Sequence, residues 1–217
     1  MAELTTKTGS DVAVEVKRIF GDEDGVQIAD ADIIRWINAA QQQIVSVNPI
    51  LQKTLLRDIV AGQADYTFPA DRVQYIQSLR YDGTPLDAYS YAEAQDYILV
   101  NDPTGTTDGV PLIWYQWAQQ ITLWPKPTTS KTNGLRMDYV AIPVNLVLIG
   151  DTLAVPDRYF EAVVSFVLQK AHQIEDNYDG ANYVKGQFQE NLAALSEQEN
   201  RIQLRQYPTI TVREEDR

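Results

Sequence analysis

ITLWPKPTTSKTNGLRMDYVAIPVNL, residues 121–146, decides how the chain is read. Two strand-like runs flank a loop marked by Pro125, Pro127 and Asn133-Gly134. Leu135, Met137 and Tyr139 alternate with Arg136 and Asp138, the period-2 pattern of a strand with one buried face. The stretch holds no activated nucleophile, metal cluster or phosphate-cradling loop. Upstream, PLIWYQWA (111–118) pairs naturally with ITLWP across Gln119-Gln120, and Asn133-Gly134 turns into LRMDYVAI. The expected product is a three-stranded antiparallel meander, which is stable once one face packs.

The surrounding block is also β-rich. KTLLRDIVAG (53–62) and DYTFP (65–69) predict a hairpin around Ala61-Gly62. VQYIQSLRYDG (73–83) is a further strand ending in the turn signal Asp82-Gly83. Ser90 followed by Glu93 has the spacing of a capping box and predicts a short helix. NDPTGTTDG (101–109) offers almost nothing to bury and reads as an exposed loop.

Helical periodicity takes over on both flanks. Val12, Val16 and Ile19 fall on one helical face. After the acidic break GDEDG, Ile33, Ile37, Ala40, Ile44 and Val47 recur at spacings of three and four. Asp30 or Asp32 stands in the first turn, where a carboxylate satisfies free amides and meets the positive end of the dipole. Asn48-Pro49 closes that helix, because a residue before proline avoids the α region. Towards the end, Pro156 opens a helix with a stripe of Phe160, Val163, Val164, Val167, Ala171 and Ile174. DNYDG (176–180) breaks it, and a second helix carries Tyr183, Val184, Phe188, Leu192, Leu195 and Ile202. Full burial of such side chains is worth about 1.5–3 kcal/mol each, so these helices should pack on each other and on residues 33–47. The fold class is therefore α+β. A helical bundle from both chain ends (1–50 and 147–205) carries a β-rich insertion of antiparallel hairpins (51–146), and an extended C-terminal tail follows (206–217).

Composition narrows the function. The 217 residues carry a net charge of −12 and no cysteine, which excludes disulfides and thiolate metal sites and fits a reducing cytoplasm. No apolar run reaches the ~18 residues of a membrane span, and MAELTTKTGSD lacks the apolar segment of a signal peptide. Nucleic-acid affinity is built mainly from Lys and Arg neutralising phosphates, so DNA gripping is disfavoured. An acidic surface can instead let DNA slide past without sticking.

No reactive constellation assembles from the residue types present. His172 falls one residue beyond the apolar stripe of its helix and reads as solvated or packed. With one histidine, a zinc site would rest largely on carboxylates, an uncommon donor set. DEDGVQIADADI fails as a calcium loop, because counting from Asp22 puts Gln27 where glycine is needed and Ile33 where glutamate is needed. GxSxG, Walker A and GxGxxG motifs are absent. The reading is a non-enzyme without a cofactor. Trp114, Tyr115, Trp117 and Trp124 either fill a β-core or present a binding face. Trp114 and Trp117 take opposite faces of a regular strand, so at most one is core, and Trp114 is the better candidate.

The order of short motifs resembles that of tailed-bacteriophage head–tail adaptor (connector) proteins over roughly residues 10 to 200. It comprises Trp36-Ile37-Asn38 on an early helix, Phe68-Pro69 after a strand, Trp124-Pro125-Lys126-Pro127 at a strand end, and Pro156 to Tyr159 opening the long helix. The resemblance implies a virion structural protein of the neck, assembled in the host cytoplasm. It implies a homo-oligomeric ring, usually of twelve copies, below the portal protein and above tail or nozzle proteins. DNA would pass through the lumen without specific binding, and no membrane is involved. Family members often dock to the portal through an extended C-terminal segment. Here its anchors would be Tyr207, Ile210 and Val212, with Arg213 as ionic partner; the plainer reading is an untethered terminus. Candidates for tail contact are Trp117, Pro125, Pro127, Asn133 and Gly134. The alternative is a sugar- or receptor-binding β-module on a helical base, which would need Trp117 or Trp124 exposed.

Overall fold

The computed structural model describes residues 6–68, 73–104 and 107–206, with side chains to residue 199. In chain order the elements are α1 (Gly9–Phe20), α2 (Asp30–Val47), β1 (Gln52–Ile59), β2 (Asp65–Thr67), β3 (Val73–Tyr81), β4 (Thr84–Pro85), β5 (Asp87–Tyr89) and α3 (Tyr91–Asn101). They continue with β6 (Asp108–Gly109), β7 (Ile113–Trp117), β8 (Gln120–Trp124), β9 (Lys126–Pro127), β10 (Lys131–Ala141), α4 (Phe160–Ile174) and α5 (Tyr178–Gln206). The protein is α+β and divides into two compact units, residues 1–48 with 143–217 and residues 49–142.

In the helical unit α4 packs against α1, α2 and α5. Helix α1 starts at a reciprocal cap: Asp11 N donates to Thr8 Oγ1 at 3.3 Å, and Thr8 N donates to Asp11 Oδ2 at 2.8 Å. It stops at Gly21, whose φ of 83° is open to glycine at little cost. The core takes Val12, Val16, Ile33, Ile37, Ile44, Val163, Val167 and Phe188, all essentially inaccessible. Helix α2 ends before Asn48-Pro49 as expected. Its first-turn carboxylates do not cap it, because the cap position is Ala29. Asp30 instead accepts from Lys17 Nζ at 2.7 Å, and Asp32 from Arg35 at 2.8 Å.

Four residues assigned to apolar stripes are exposed: Ile19, Val47, Ile174 and Tyr183. The first three sit in the last turn of their helices, beyond the packed stretch. Tyr183 is one step, about 100°, off the α5 face that Ala181, Val184, Phe188 and Leu192 bury. Ile202 lies outside the residues whose side chains are described.

The β-unit differs from the expected meander. Strand order is β1-β10-β3-β4 in one sheet and β2-β8-β7-β5 in a second, so β8 and β10 are not neighbours. Strand β1 pairs along β10, from Gln52 opposite Val140 to Arg57 opposite Leu135, and does not form a hairpin with β2, which pairs with β8. Period-2 alternation specifies which face is buried but not which strand is the partner. Asp82-Gly83 does turn β3 into β4, with φ of 50° and 83°. Strands β7 and β8 turn at Ala118-Gln119, one residue earlier than expected, both with positive φ.

Asn133-Gly134 is not a turn but part of β10, where the register against β1 shifts between Arg57 and Ile59. Asn133 takes φ 52°, and its N–H donates to Asp58 Oδ1 at 2.8 Å. Gly134 is needed for close approach, since a Cβ there would stand 2.5 Å from Ile59 Cδ1. Pro125, Pro127 and Gly134 are all buried, and the loop they bracket exposes Thr128, Thr129 and Ser130.

The two sheets share one core. Leu79, Tyr81, Leu135, Met137 and Tyr139 from the first meet Tyr66, Trp114, Ile121 and Leu123 from the second. Arg57 spans them, donating to Thr67 Oγ1 at 3.0 Å and Phe68 O at 3.2 Å. Helix α3, capped reciprocally by Ser90 and Glu93 as expected, packs on β5 and β7. The described residues of the loop read at 101–109 are exposed as expected apart from Asp102, which turns inward and accepts from Thr104 Oγ1 and Thr107 N, and the half-buried Gly109.

Candidate interaction sites

Asn38 explains the Trp-Ile-Asn step on α2. Trp36 and Ile37 are buried, while Asn38 Nδ2 donates to Leu146 O at 3.0 Å and Leu146 N donates back to Asn38 Oδ1 at 2.7 Å. One turn on, the fully buried Gln41 accepts from Ala154 N at 2.5 Å. Asp151 Oδ2 accepts from Val147 N and Leu148 N, each at 2.8 Å. Asp157 accepts from Thr6 N and Lys7 N at 2.9 and 3.0 Å. These side-chain-to-backbone bonds hold the stretch between β10 and α4 and leave Val144, Val147 and Leu148 facing solvent. Beside it, a pocket of about 550 Å³ is lined by Ala13, Val14, Lys17, Arg18, Asp30 and Ile149.

The charged loop before α2 is organised by a single carboxylate. Asp22 is buried and accepts from Val26 N, Gln27 N and Ile28 N within 3.1 Å. Burial alone would raise its pKa, but the amides of Gln27, Ile28 and Val26 outweigh that and hold it below the ordinary carboxylate value. The amides of Leu148 and Val147 lower Asp151 in the same way. The Thr6 hydroxyl, with the Lys7 and Thr6 amides, lowers Asp157. Among the described residues no group of His, Asp and Glu could hold a metal ion. His172 packs its ring on Phe20 at 5.3 Å.

The β-unit carries an aromatic layer on the side of its second sheet away from the core. Trp114 is buried, whereas Trp117 is 57% exposed, on opposite faces of β7. Tyr91 of α3 stacks on Trp117 with ring centroids 4.2 Å apart, and its edge meets Tyr115 at 5.9 Å. Tyr97 of α3 meets Trp124 at 5.5 Å and Tyr89 at 5.4 Å. The helix thus sits on the sheet through Tyr91 and Tyr97 and turns Leu99 and Val100 outward. Val110 and Leu112 are exposed in the same stretch of chain. Leu99 and Val100 were not singled out from sequence; their signal is an apolar pair at the end of a helix whose one buried residue is Ala94.

Of the tail-contact candidates, Trp117 and Asn133 are exposed, and Pro125, Pro127 and Gly134 are structural supports below the surface. Trp124 is half-buried. Tyr207, Ile210, Val212 and Arg213 lie outside the described residues.

Comparison with curated proteins finds no match. Comparison with protein families finds one, described as the SU10 adaptor protein, over residues 7–213. That span takes in both units and every motif named above, from Trp36-Ile37-Asn38 to Tyr159. The chain belongs to the SU10 adaptor protein family, a family of bacteriophage head–tail adaptors, and is a structural component of the virion rather than a member of an enzyme family.

Proposed function

We propose that the protein forms a ring of about twelve copies below the portal and joins the capsid to the tail, as the adaptor resemblance implies. The observation that carries this reading is the family match over nearly the whole chain. The lack of a metal-binding group among the described residues is compatible with a function vested in surfaces. In this reading the helices of residues 1–50 and 147–205 are a bundle that forms the body of the ring. Residues 51–146 are an inserted domain facing tail or nozzle proteins, with Trp117 and the Thr128–Ser130 loop as contacts. Residues 206–217 reach the portal through Tyr207, Ile210, Val212 and Arg213.

A net charge of −12 suits a lumen through which DNA moves without adhering. The ring occupies the virion neck and is assembled in the host cytoplasm. The isolated chain is monomeric or weakly associated and assembles on the portal, which orders the construction of the particle. Deleting residues 206–217 should abolish co-sedimentation with portal particles while circular dichroism of the chain stays unchanged. Unchanged co-sedimentation of the shortened protein would remove the tail from the proposal.

A further inference from the structure

Residues 81–125 hold six acids, Asp82, Asp87, Glu93, Asp96, Asp102 and Asp108, and no lysine or arginine. Asp82 pairs with Lys131 of the first sheet and Asp102 is buried, but Asp87 on β5 and Glu93 and Asp96 on α3 lie beside the aromatic layer and the exposed Tyr91, Leu99, Val100 and Trp117. Asp96 precedes Leu99 and Val100 by three and four residues, so an exposed carboxylate and two exposed aliphatics share one face of α3.

The first sheet sets two arginines side by side on its outer face. Lys53 and Arg57, opposite Tyr139 and Leu135, take the parity of the core face, whereas Arg80 and Arg136 take the outer one alongside Asp138. On its side away from the core, Arg136 stands opposite Leu56 on one neighbouring strand and opposite Arg80 on the other. Leu56 is 51% exposed. Like charges directly opposite across a sheet are unfavourable. Arg136 reaches Asp138 at 3.1 Å, but among the described residues no hydrogen bond or ion pair engages the Arg80 side chain.

We propose that these two outer faces meet between successive copies of the chain, Arg80, Arg136 and Leu56 of one copy against Asp96, Leu99 and Val100 of the next. The faces lie on opposite sides of one two-sheet unit, so the contact is head-to-tail, the kind that closes into a ring when the rotation per copy permits. Carboxylates would reach the guanidinium pair, and the aliphatics would cover one another. The inference rests on the ring reading above and adds to the helical body of the ring a contact between the β-units of neighbouring copies.

The chain has no cysteine, so a single one can be placed on each face. Leu56→Cys and Leu99→Cys proteins are mixed with portal particles and treated with a short bismaleimide. Cross-linked dimers should form in the mixture and not with either variant alone, and a chain carrying both changes should give a ladder. In parallel, Arg80→Glu/Arg136→Glu and Asp87→Lys/Asp96→Lys proteins should each fail to form rings, and an equimolar mixture of the two should restore them. Rings without cross-links, from charge-reversed proteins that assemble normally, would overturn these surfaces and leave the ring standing. Absence of any ring from the unmodified chain with portal would overturn the ring reading and this inference with it.

Discussion

Asn38 and Leu146 exchange two hydrogen bonds, 3.0 and 2.7 Å, between the middle of α2 and a backbone unit 108 residues away. The pair does for a non-regular segment what a β-ladder does for a strand: both backbone groups of Leu146 are satisfied without a neighbouring strand. Leu146 itself is buried, so its amide and carbonyl have poor access to water as an alternative.

Replacing Asn38 with alanine should therefore cost more than a surface asparagine. Leaving buried backbone groups unpaired costs about 1–3 kcal/mol, and chemical denaturation should report a loss in that range. An unchanged midpoint would show that water takes over both bonds.

Gly134→Val tests the close approach of β10 to β1. The added atoms meet Ile59 Cδ1 at 2.5 Å and Lys131 Cβ at 2.8 Å from the first carbon onward. Overpacking of this kind costs about 1–3 kcal/mol. Thermal unfolding should fall, whereas Gly62→Ala, at a site with open space around it, should show only the milder strain of its positive φ.

The two tryptophans of β7 should separate cleanly. Trp114→Ala removes a buried ring from the shared core and should cost about 3–5 kcal/mol. Trp117→Ala gives up a stack with Tyr91 worth about 0.5–1.5 kcal/mol, and most of the stability should remain. The indole of Trp117 also reports on the sugar-binding alternative. Its fluorescence should stay constant across a glycan panel, and saturable quenching that disappears in Trp117→Phe would favour a sugar-binding module instead.

Stability should fall in acid through a definable set of carboxylates. Asp11, Asp22, Asp138, Asp151 and Asp157 all have folded pKa values lowered by hydrogen bonds to their charged forms. A depressed folded pKa contributes stability that is fully present above the unfolded value, about 3.9 for Asp, and is lost as pH falls through the folded one. Melting temperature should thus be insensitive to these groups above about pH 5 and drop progressively below pH 4. Asp22→Asn, which keeps an acceptor for the loop amides but cannot be protonated in this range, should flatten the acid limb. An identical limb in that variant would show that Asp22 does not contribute to it.

Much of the helical unit was legible in the sequence because its signals are local. The stripe Ile33, Ile37, Ala40 and Ile44 is buried as read, and Pro49 stops α2 where expected. In the β-unit, the Asp82-Gly83 turn and the Ser90–Glu93 cap are equally local and were read correctly. What failed was partner choice. Strand β10 meets β1 and β3, both more than fifty residues earlier, and no local pattern distinguishes them from the nearer β8. Asn133-Gly134 misled for a related reason: the pair that favours a tight turn also suits a bulge needing positive φ and a missing side chain. Among the tail-contact candidates, the exposure of Trp117 was legible from strand parity alone. The burial of Pro125 and Pro127 was not, because a loop proline can support the loop from below as readily as it can face outward.

A ring built by this chain on the portal would be visible by electron microscopy. Portal particles mixed with the full chain and averaged should show a closed ring of density below the portal, absent from portal alone. Portal particles that look the same with and without the chain, at concentrations where the chain is folded, would contradict it.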